Sequence, residues 1–223
     1  MEELLSFQNL YYKFPHSSRY IKESGQVLPH DFLIVQGPSG AGKSTLLKLI
    51  ARLIRAESGE VFFRGKAQEE YPANEWRLNI QYLAQHPIMF TGTVADNLLQ
   101  AFDLKMVADK KELPPANLIK KYLGAIGFNE KILQQSAKTL SGGEKARIAV
   151  LRAILIEPTL LLLDEPSAYL DEASREKTMQ LLNDWVVSGK RGIIMVSHNS
   201  EDLALIENYN ILNLLTRGDG DGK

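Results

Sequence analysis

The nine residues GPSGAGKST, at positions 37–45, decide the fold of this 223-residue chain. An apolar run at 32–35 precedes them and predicts a buried strand, while apolar residues at helical spacing follow over 43–55. The stretch matches G-x-x-x-x-G-K-[S/T] at every fixed position, in the strand–loop–helix context that this pattern requires. Successive backbone N–H groups of such a loop wrap a phosphate chain, and glycine lets the backbone approach closely. The predicted phosphate-binding residues are Gly37, Pro38, Ser39, Gly40, Ala41, Gly42, Lys43, Ser44 and Thr45.

Two side chains of this loop carry specific chemistry. Lys43 supplies a fixed cation for the outer phosphates, and the Ser44 hydroxyl is suited to coordinate Mg²⁺. A glycine turn at a strand end is the simpler alternative. The complete match and its strand–helix context favour the phosphate-binding hypothesis.

A pair of carboxylates follows the apolar run at 160–163. Asp164 and Glu165 stand at the carboxyl end of a predicted buried strand, where ligands collect in open α/β sheets. We expect Asp164 to hold Mg²⁺, directly or through water, and Glu165 to polarise the water that attacks the terminal phosphate. An ordinary polar strand end is the alternative, and the loop at 37–45 makes it the weaker one.

Composition excludes several other classes of protein. Hydrophobic residues make up 44% of the chain, enough for a sizeable core, and the net charge is −1. This charge does not indicate a protein held to nucleic acid by bulk electrostatics. The absence of cysteine excludes disulfides and thiolate metal sites. Residues 1–10 are not typical of a secretory signal and the aliphatic runs are too short to span a bilayer, so we expect a soluble protein.

The remaining apolar pattern predicts alternating strands and helices. Residues 95–138 have a helical pattern broken by Pro114 and Pro115, which predicts a separate helical lobe. Continuous apolar strands alternating with helices predict an α/β fold with a mostly parallel sheet covered on both faces. Further strands are expected at 59–64, 80–84 and 192–197, and a further helix is expected at 174–187.

The start of another predicted helix carries an unusual pair of glycines. Ser141 and Glu144 fit a capping box, and Gly142 and Gly143 occupy the first turn, where glycine weakens a helix. A helix N-terminus with bare backbone is suited to an anion. Residues 140–144, LSGGE, resemble the signature of the ABC-type ATPases, usually written LSGGQ.

Further positions resemble motifs of that family, in the family's order. Gln85 resembles the glutamine that reaches toward Mg²⁺, and His198 resembles the histidine that contacts the γ-phosphate. Residues 168–171, AYLD, resemble the D-loop, normally SALD. Phe14 aligns with the aromatic residue that stacks on adenine, and Tyr12 is the alternative for that position.

The resemblance covers nearly the whole chain and implies its architecture. It implies a P-loop NTPase (RecA-like) core with a small antiparallel β lobe over residues 1–94 and 156–216. A helical signature subdomain is implied over about 95–155, and residues 217–223 are expected to form a flexible tail.

The activity implied by the resemblance is ATP hydrolysis, with ATP and Mg²⁺ as cofactors. Glu165, His198 and Gln85 are then the catalytic residues, and Ser44, Gln85 and Asp164 bind the metal. The family's arrangement also implies a homodimer held together by ATP. The residues of one copy that face the other copy's γ-phosphate are Ser141, Gly142, Gly143 and Glu144.

Three departures from the family's pattern have chemical consequences. Glu144 replaces a glutamine and brings a carboxylate near the other copy's nucleotide, although it also closes the capping box. Ala168 and Tyr169 replace the Ser-Ala of the D-loop, where the two sites communicate. Phe14 offers no hydroxyl, so we expect low selectivity for the base.

The resemblance finally implies a role in transport. We expect a nucleotide-binding subunit, peripheral on the cytoplasmic face of the cell membrane, that docks on a separate permease through the apolar residues 86–90. Core packing of those residues is the alternative. A weaker likeness to bacterial iron-export ATPases points to metal export. The competing functions are a soluble ABC ATPase acting on DNA or ribosomes, and a P-loop kinase, which the signature and the Asp164–Glu165 pair disfavour.

Overall fold

A computed structural model describes residues 3–218 of the chain. Strands and α-helices alternate along most of it, and short 3₁₀ turns join several of them. The strands are β1 (Leu5–Lys13), β2 (Tyr20–Val27), β3 (Phe32–Gln36), β4 (Ser58–Phe63), β5 (Lys66–Ala67), β6 (Ile80–Leu83), β7 (Leu160–Asp164), β8 (Gly192–Val196) and β9 (Tyr209–Asn213). The α-helices are α1 (Lys43–Ile50), α2 (Ala73–Asn79), α3 (Val94–Leu99), α4 (Lys105–Ala108), α5 (Ala116–Ala125), α6 (Gly142–Leu155), α7 (Glu172–Val187) and α8 (Ser200–Ala204).

Five parallel strands form the central sheet, in the order β6-β7-β8-β3-β9. All residues of β7 and β8 are buried, as expected for strands with helices on both faces. The register pairs Asp164 at the end of β7 with Val196 at the end of β8. The side chains that follow these strands therefore meet at one edge of the sheet, and the predicted α/β fold with a mostly parallel sheet is confirmed.

A second, antiparallel sheet has the order β2-β1-β4-β5. Its inner face packs Phe7, Ile21 and Phe63 into the same apolar cluster as Leu46 and Leu47 of α1. This sheet is the predicted small β lobe. Its β1–β2 turn lies beside the start of α1, so the lobe contributes residues to the same region as the phosphate-binding loop.

The segment between β6 and β7 is helical, as predicted, but its helices are short. The predicted pattern over 95–138 resolves into α3, α4, α5 and 3₁₀ turns, with Pro115 directly before α5. Apolar residues of this segment, such as Leu98 and Leu123, join the cluster formed by one face of α6 and α7. The division into a core and a helical subdomain at about 95 and 155 stays a proposal. Among the described residues, no helix combines the length and the apolar character needed to cross a membrane.

The structure differs from the sequence-based expectations at the end of α1 and near the C-terminus of the chain. The helix expected over 43–55 ends at Ile50, because Arg52 adopts a left-handed conformation with φ of 57°. The strand β9 and the helix α8 carry few buried residues and lacked a clear apolar signal. Of the expected tail, Arg217 pairs with Tyr20 and residues 219–223 lie outside the described part of the chain.

Candidate functional site

One cleft gathers side chains from both ends of the sequence. It has a volume of about 470 Å³ and lies between the phosphate-binding loop, the β1–β2 turn and the carboxyl ends of β6, β7 and β8. Because parallel strands end at the same edge, residues more than a hundred positions apart are neighbours here. The lining residues are Phe14, Arg19, Ser39, Gly40, Gly42, Lys43, Ser44, Thr45, Gln85, Glu165 and His198.

The phosphate-binding loop owes its curve to left-handed glycines. Gly40 has φ of 78° and Gly42 has φ of 99°, a conformation that other residues adopt only with strain. Lys43 folds back over the loop and its Nζ donates to Gly37 O at 3.0 Å and Pro38 O at 2.9 Å. Burial lowers the pKa of Lys43, while the Glu165 carboxylate opposes that shift. The loop thus combines a concave backbone with a cation bonded to neutral carbonyls, a chemistry that fits a phosphate chain.

Asp164 forms a compact oxygen cluster with two hydroxyls. The Ser44 hydroxyl donates to Asp164 Oδ1 and the Tyr82 hydroxyl donates to Asp164 Oδ2, both at 3.0 Å. Asp164 is only 4% exposed. Burial and the Asp164 carboxylate raise the pKa of Tyr82 above its usual range, so its hydroxyl stays a donor. Sequence reasoning missed Tyr82, which gives no signal in the short strand β6 beyond its polar hydroxyl.

The chemistry of this oxygen cluster fits the predicted Mg²⁺. No group of three or more His, Asp or Glu within residues 3–218 is arranged to hold a metal by itself. Mg²⁺, however, prefers hard oxygen ligands and usually takes one or two from the protein, with phosphates and water filling the rest. The Ser44 hydroxyl and the Asp164 carboxylate supply such a pair, and they already lie in contact.

The three predicted catalytic residues also lie together. The Gln85 amide nitrogen donates to Glu165 Oε2 at 2.7 Å, and His198 Nε2 lies 3.9 Å from Glu165 Oε1. Glu165 itself is left-handed, with φ of 49°, and its backbone N–H donates to Val196 O. This turn directs the side chain out of the sheet edge into the cleft, where it remains partly exposed to water.

The buried carboxylate of Asp202 bonds the two chain segments that carry Glu165 and His198. Asp202 is 1% exposed, and its Oδ2 accepts hydrogen bonds from Ser167 Oγ and Ser197 Oγ, both at 2.6 Å. Ser167 follows Glu165 by two positions and Ser197 directly precedes His198. Asp202 therefore joins the two chain segments that carry these candidate catalytic side chains, a role that the sequence did not reveal.

The predicted base-stacking residue lies on the chain between β1 and β2. Phe14 lines the cleft next to Gly42, whereas Tyr12 does not line it and instead meets the Phe14 ring edge-on at 5.5 Å between centroids. Arg19 lies over the same ring, with its Cζ 5.3 Å from the centroid. The structure thus brings Phe14, and not Tyr12, to the phosphate-binding loop.

The predicted signature residues lie outside this cleft, at the start of α6. The capping box is confirmed, because Ser141 N donates to Glu144 Oε2 at 2.7 Å and Glu144 N donates to Ser141 Oγ at 3.2 Å. Ser141 and Gly142 are exposed. The same chain thus leaves these residues without contact to its own phosphate-binding loop.

A contact with Tyr169 of the same chain explains why one of the two signature positions is a glycine. A Cβ atom on Gly143 would lie 2.8 Å from Tyr169 O, whereas one on Gly142 would meet only the Tyr169 ring at 3.8 Å. The Tyr169 hydroxyl also hydrogen-bonds His86 Nδ1 at 2.6 Å. Gly143 is therefore required for the close approach of residues 168–171 to α6, whatever else these glycines bind.

Comparison with known proteins supports the same interpretation. A family model described as ABC transporter matches residues 23–168, well over half of the chain. The probable iron export ATP-binding protein FetA of Escherichia coli K12 is 32% identical over 173 residues, which cover 78% of this chain and 75% of that protein. The molybdate/tungstate import ATP-binding protein WtpC of Pyrococcus abyssi is 35% identical over 180 residues, covering 80% of this chain and 51% of that protein.

A solved structure shows the same fold. A dimeric ATP-binding cassette in a post-hydrolysis state, bound to ADP and phosphate, superposes with a TM-score of 0.75 at 23% identity, covering 94% of this chain and 96% of that one. At this identity the likeness shows the fold alone. The family assignment rests on the family match and on the sequence relatives. One relative is named for export and the other for import, and each shares about a third of the aligned residues with this chain. The chain belongs to the ABC transporter family, as one of its ATP-binding, ATP-hydrolysing domains.

Proposed function

We propose that this chain is the ATP-hydrolysing subunit that drives a membrane transporter, and that the cleft at the edge of the central sheet is its nucleotide site. The observation that carries the proposal is the convergence of Lys43, Ser44, Gln85, Glu165 and His198 on one cleft. Phosphate binding needs the loop and its cation, and phosphoryl transfer to water needs a base beside them.

The proposed binding roles follow from the contacts of the loop. Residues 37–45 bind the phosphates through backbone N–H groups and Lys43, and Phe14 stacks on the base. Ser44, Gln85 and Asp164 hold Mg²⁺, which when bound neutralises charge on the phosphates. The hydroxyl of Tyr82 keeps the Asp164 carboxylate oriented toward Ser44, since it occupies the other carboxylate oxygen.

Glu165 is the proposed general base for hydrolysis. Its carboxylate is partly exposed, so water reaches it, and Lys43 lies close enough to influence it electrostatically. Gln85 fixes one carboxylate oxygen through its amide, which leaves the other oxygen to take the proton from the attacking water. His198, whose Nε2 lies 3.9 Å from that oxygen, is the proposed donor to the γ-phosphate.

We further propose that two copies pair head to tail around ATP. At the exposed start of α6 the capping box occupies the N–H groups of Ser141 and Glu144, while the bare backbone of Gly142 and Gly143 and the positive helix-dipole end favour an anion from outside the chain. Ser141, Gly142, Gly143 and Glu144 would then face the nucleotide of the second copy. The Glu144 carboxylate is held back by its bond to Ser141 N, which limits its repulsion of that nucleotide.

The proposed permease contact is a groove beside the Gln85 loop. A cavity of about 410 Å³ is lined mainly by apolar side chains, among them Phe90, Leu104 and Ile156. Ile88, on the same loop, is 73% exposed, and Leu104 is 59% exposed. Large apolar side chains left in water mark a partner surface. Met89 packs instead against the core, so the alternative of core packing holds for this one residue.

We propose that the transported substrate is a metal and that it is exported. This proposal rests on the likeness to FetA, whose name describes probable iron export. The competing idea of action on DNA or ribosomes has no support in the charge of the chain, which is −1. Through its permease the subunit would lie on the inner face of the cell membrane.

Phosphate release from Mg-ATP tests the proposed function. We expect the purified chain to release phosphate only with Mg²⁺, and Glu165→Gln to lower the rate by about 100-fold or more, since general-base catalysis contributes 10²–10⁴. Glu130→Gln is the matched control, because Glu130 is exposed and its one ion pair within residues 3–218 is with Lys120. A Glu165→Gln rate equal to that of the control would overturn the assignment of the base.

A further inference from the structure

The turn between β1 and β2 holds a cation, Arg19, beside the phosphate-binding loop. Phe14 N donates to Arg19 O at 3.0 Å and Ser17 N donates to Phe14 O at 3.2 Å, which closes the turn. The Ser17 hydroxyl oxygen then accepts from Arg19 N at 3.1 Å and from Arg19 Nε at 3.4 Å. Both the backbone and the side chain of Arg19 are therefore fixed by the turn.

The guanidinium of Arg19 reaches the phosphate-binding loop. Its Nη1 donates to Gly40 O at 3.1 Å, and its Cζ lies over the Phe14 ring. Arg19 lines the same cleft as Ser39 and Lys43. The phosphate-binding loop at 37–45 contains one cationic residue, Lys43. The fold places a second cation, Arg19, beside this loop from the β1–β2 turn of the antiparallel sheet.

Arg19 differs from Lys43 in its charge environment. Lys43 interacts electrostatically with the carboxylates of Glu165 and Asp164. No carboxylate of residues 3–218 forms an ion pair with Arg19, whose acceptors are the neutral oxygens of Gly40 and Ser17. A guanidinium bonded to a neutral carbonyl gains by exchanging it for an anionic oxygen, because the attraction between opposite charges then adds to the hydrogen bond.

We propose that Arg19 is a further nucleotide-binding residue, whose guanidinium bonds a phosphate oxygen of the bound nucleotide. This inference rests on the proposed function of the cleft. Its place beside Gly40 favours the phosphate over the base, because Gly40 belongs to the loop that wraps the phosphates. The contact serves binding, and it does not require the γ-phosphate, so ADP is bound by it as well as ATP.

Titration calorimetry with ADP at 50 mM and 300 mM NaCl tests the proposal. Arg19→Gln removes the charge, Arg19→Lys keeps it, and Lys22→Gln removes a charge from an exposed residue of β2 that does not line the cleft. At 50 mM NaCl we expect Arg19→Gln to weaken ADP binding by about tenfold, the value of a hydrogen bond to a charged group. Arg19→Lys should lie within about threefold of the unchanged protein, and Lys22→Gln should match it. At 300 mM NaCl the deficit of Arg19→Gln should shrink, because salt screens exposed charges.

Two results would overturn the proposal. If Arg19→Gln binds ADP like the unchanged protein while Lys43→Ala binds it at least tenfold more weakly, the cleft is the nucleotide site and Arg19 has no part in it. If Arg19→Lys is as weak as Arg19→Gln and salt changes neither deficit, the planar guanidinium stacks on the base and the phosphate contact is wrong. Failure of the unchanged protein to bind ADP would instead reject the proposed function. Circular dichroism melting curves establish that each variant is folded.

Discussion

The amide of Gln85 donates a 2.7 Å hydrogen bond to Glu165 Oε2, which joins the end of β6 to the end of β7. The loop that carries Gln85 continues directly into the exposed Ile88, at the proposed permease groove. A displacement of this loop therefore changes the support of the proposed base. This hydrogen bond directly connects the loop of the proposed partner surface with the proposed general base.

Removal of the Gln85 amide tests this connection. We expect Gln85→Ala to lower the rate of phosphate release by about tenfold or more, because the general base loses its orientation. ADP affinity measured without Mg²⁺ should stay within about twofold, since the proposed roles of Gln85 are toward Glu165 and Mg²⁺ and it does not belong to the phosphate-binding loop. Gln81→Ala is the control, because its amide bonds Arg77 O and not Glu165. Equal rates for the two variants would contradict the positioning role.

The ATP-dependent dimer is tested by Glu165→Gln. Slow hydrolysis and the loss of one negative charge both favour the closed pair, so this variant should dimerise with ATP and remain monomeric with ADP. Light scattering measures the mass. Adding Ser141→Arg should abolish the dimer, because a bulky side chain fills the proposed space at the second copy's phosphate. A double variant that still dimerises with ATP would show that the start of α6 does not serve the second nucleotide.

Lys43 is expected to supply most of the fixed charge for phosphate. Lys43→Ala should fold normally but bind ATP at least tenfold more weakly, since a hydrogen bond to a charged group contributes about 1.5–3 kcal/mol. Isothermal titration calorimetry measures the affinity. Lys48→Ala, on an exposed position of the same helix α1, should bind like the unchanged protein. Unaltered ATP affinity in Lys43→Ala would remove the phosphate role of this residue.

The two signature glycines should respond differently to alanine. At Gly142 the added Cβ meets nothing nearer than 3.8 Å, so Gly142→Ala should leave the free energy of unfolding unchanged or raise it by up to about 1 kcal/mol. At Gly143 the Cβ would lie 2.8 Å from Tyr169 O, so Gly143→Ala should lower that free energy by about 1–3 kcal/mol. Urea unfolding compares the pair, and equal stabilities would contradict the packing argument.

Charged substitutions on the apolar loop test the permease groove. Ile88→Asp and Phe90→Asp should spare ADP binding but prevent co-purification with the permease, because burying an unpaired charge in an apolar contact is costly. Met89→Asp is a poorer probe, since Met89 packs against the core and its loss disturbs folding. Leu113→Asp is the control, because Leu113 is 65% exposed and does not line the groove. Normal docking of Ile88→Asp would exclude this surface.

The sequence by itself determined the features that rest on local chemistry. The loop at 37–45 needs left-handed glycines and a lysine at fixed spacing, and both are readable in one short stretch. Continuous apolar runs marked β3, β7 and β8, because strands buried on both faces need no alternation. The capping box of Ser141 and Glu144 was equally readable, since its partners are three positions apart.

Only the tertiary structure decided which distant side chains meet. Tyr82 bonds Asp164 across 82 positions, and Arg19 reaches Gly40 from another sheet. The exposed edge strand β9 has no continuous apolar run to reveal it. These features depend on strand order and on how two sheets pack, which no local pattern specifies. The hydrogen bond of Tyr82 depends on the parallel pairing of β6 with β7, which places its partner within reach.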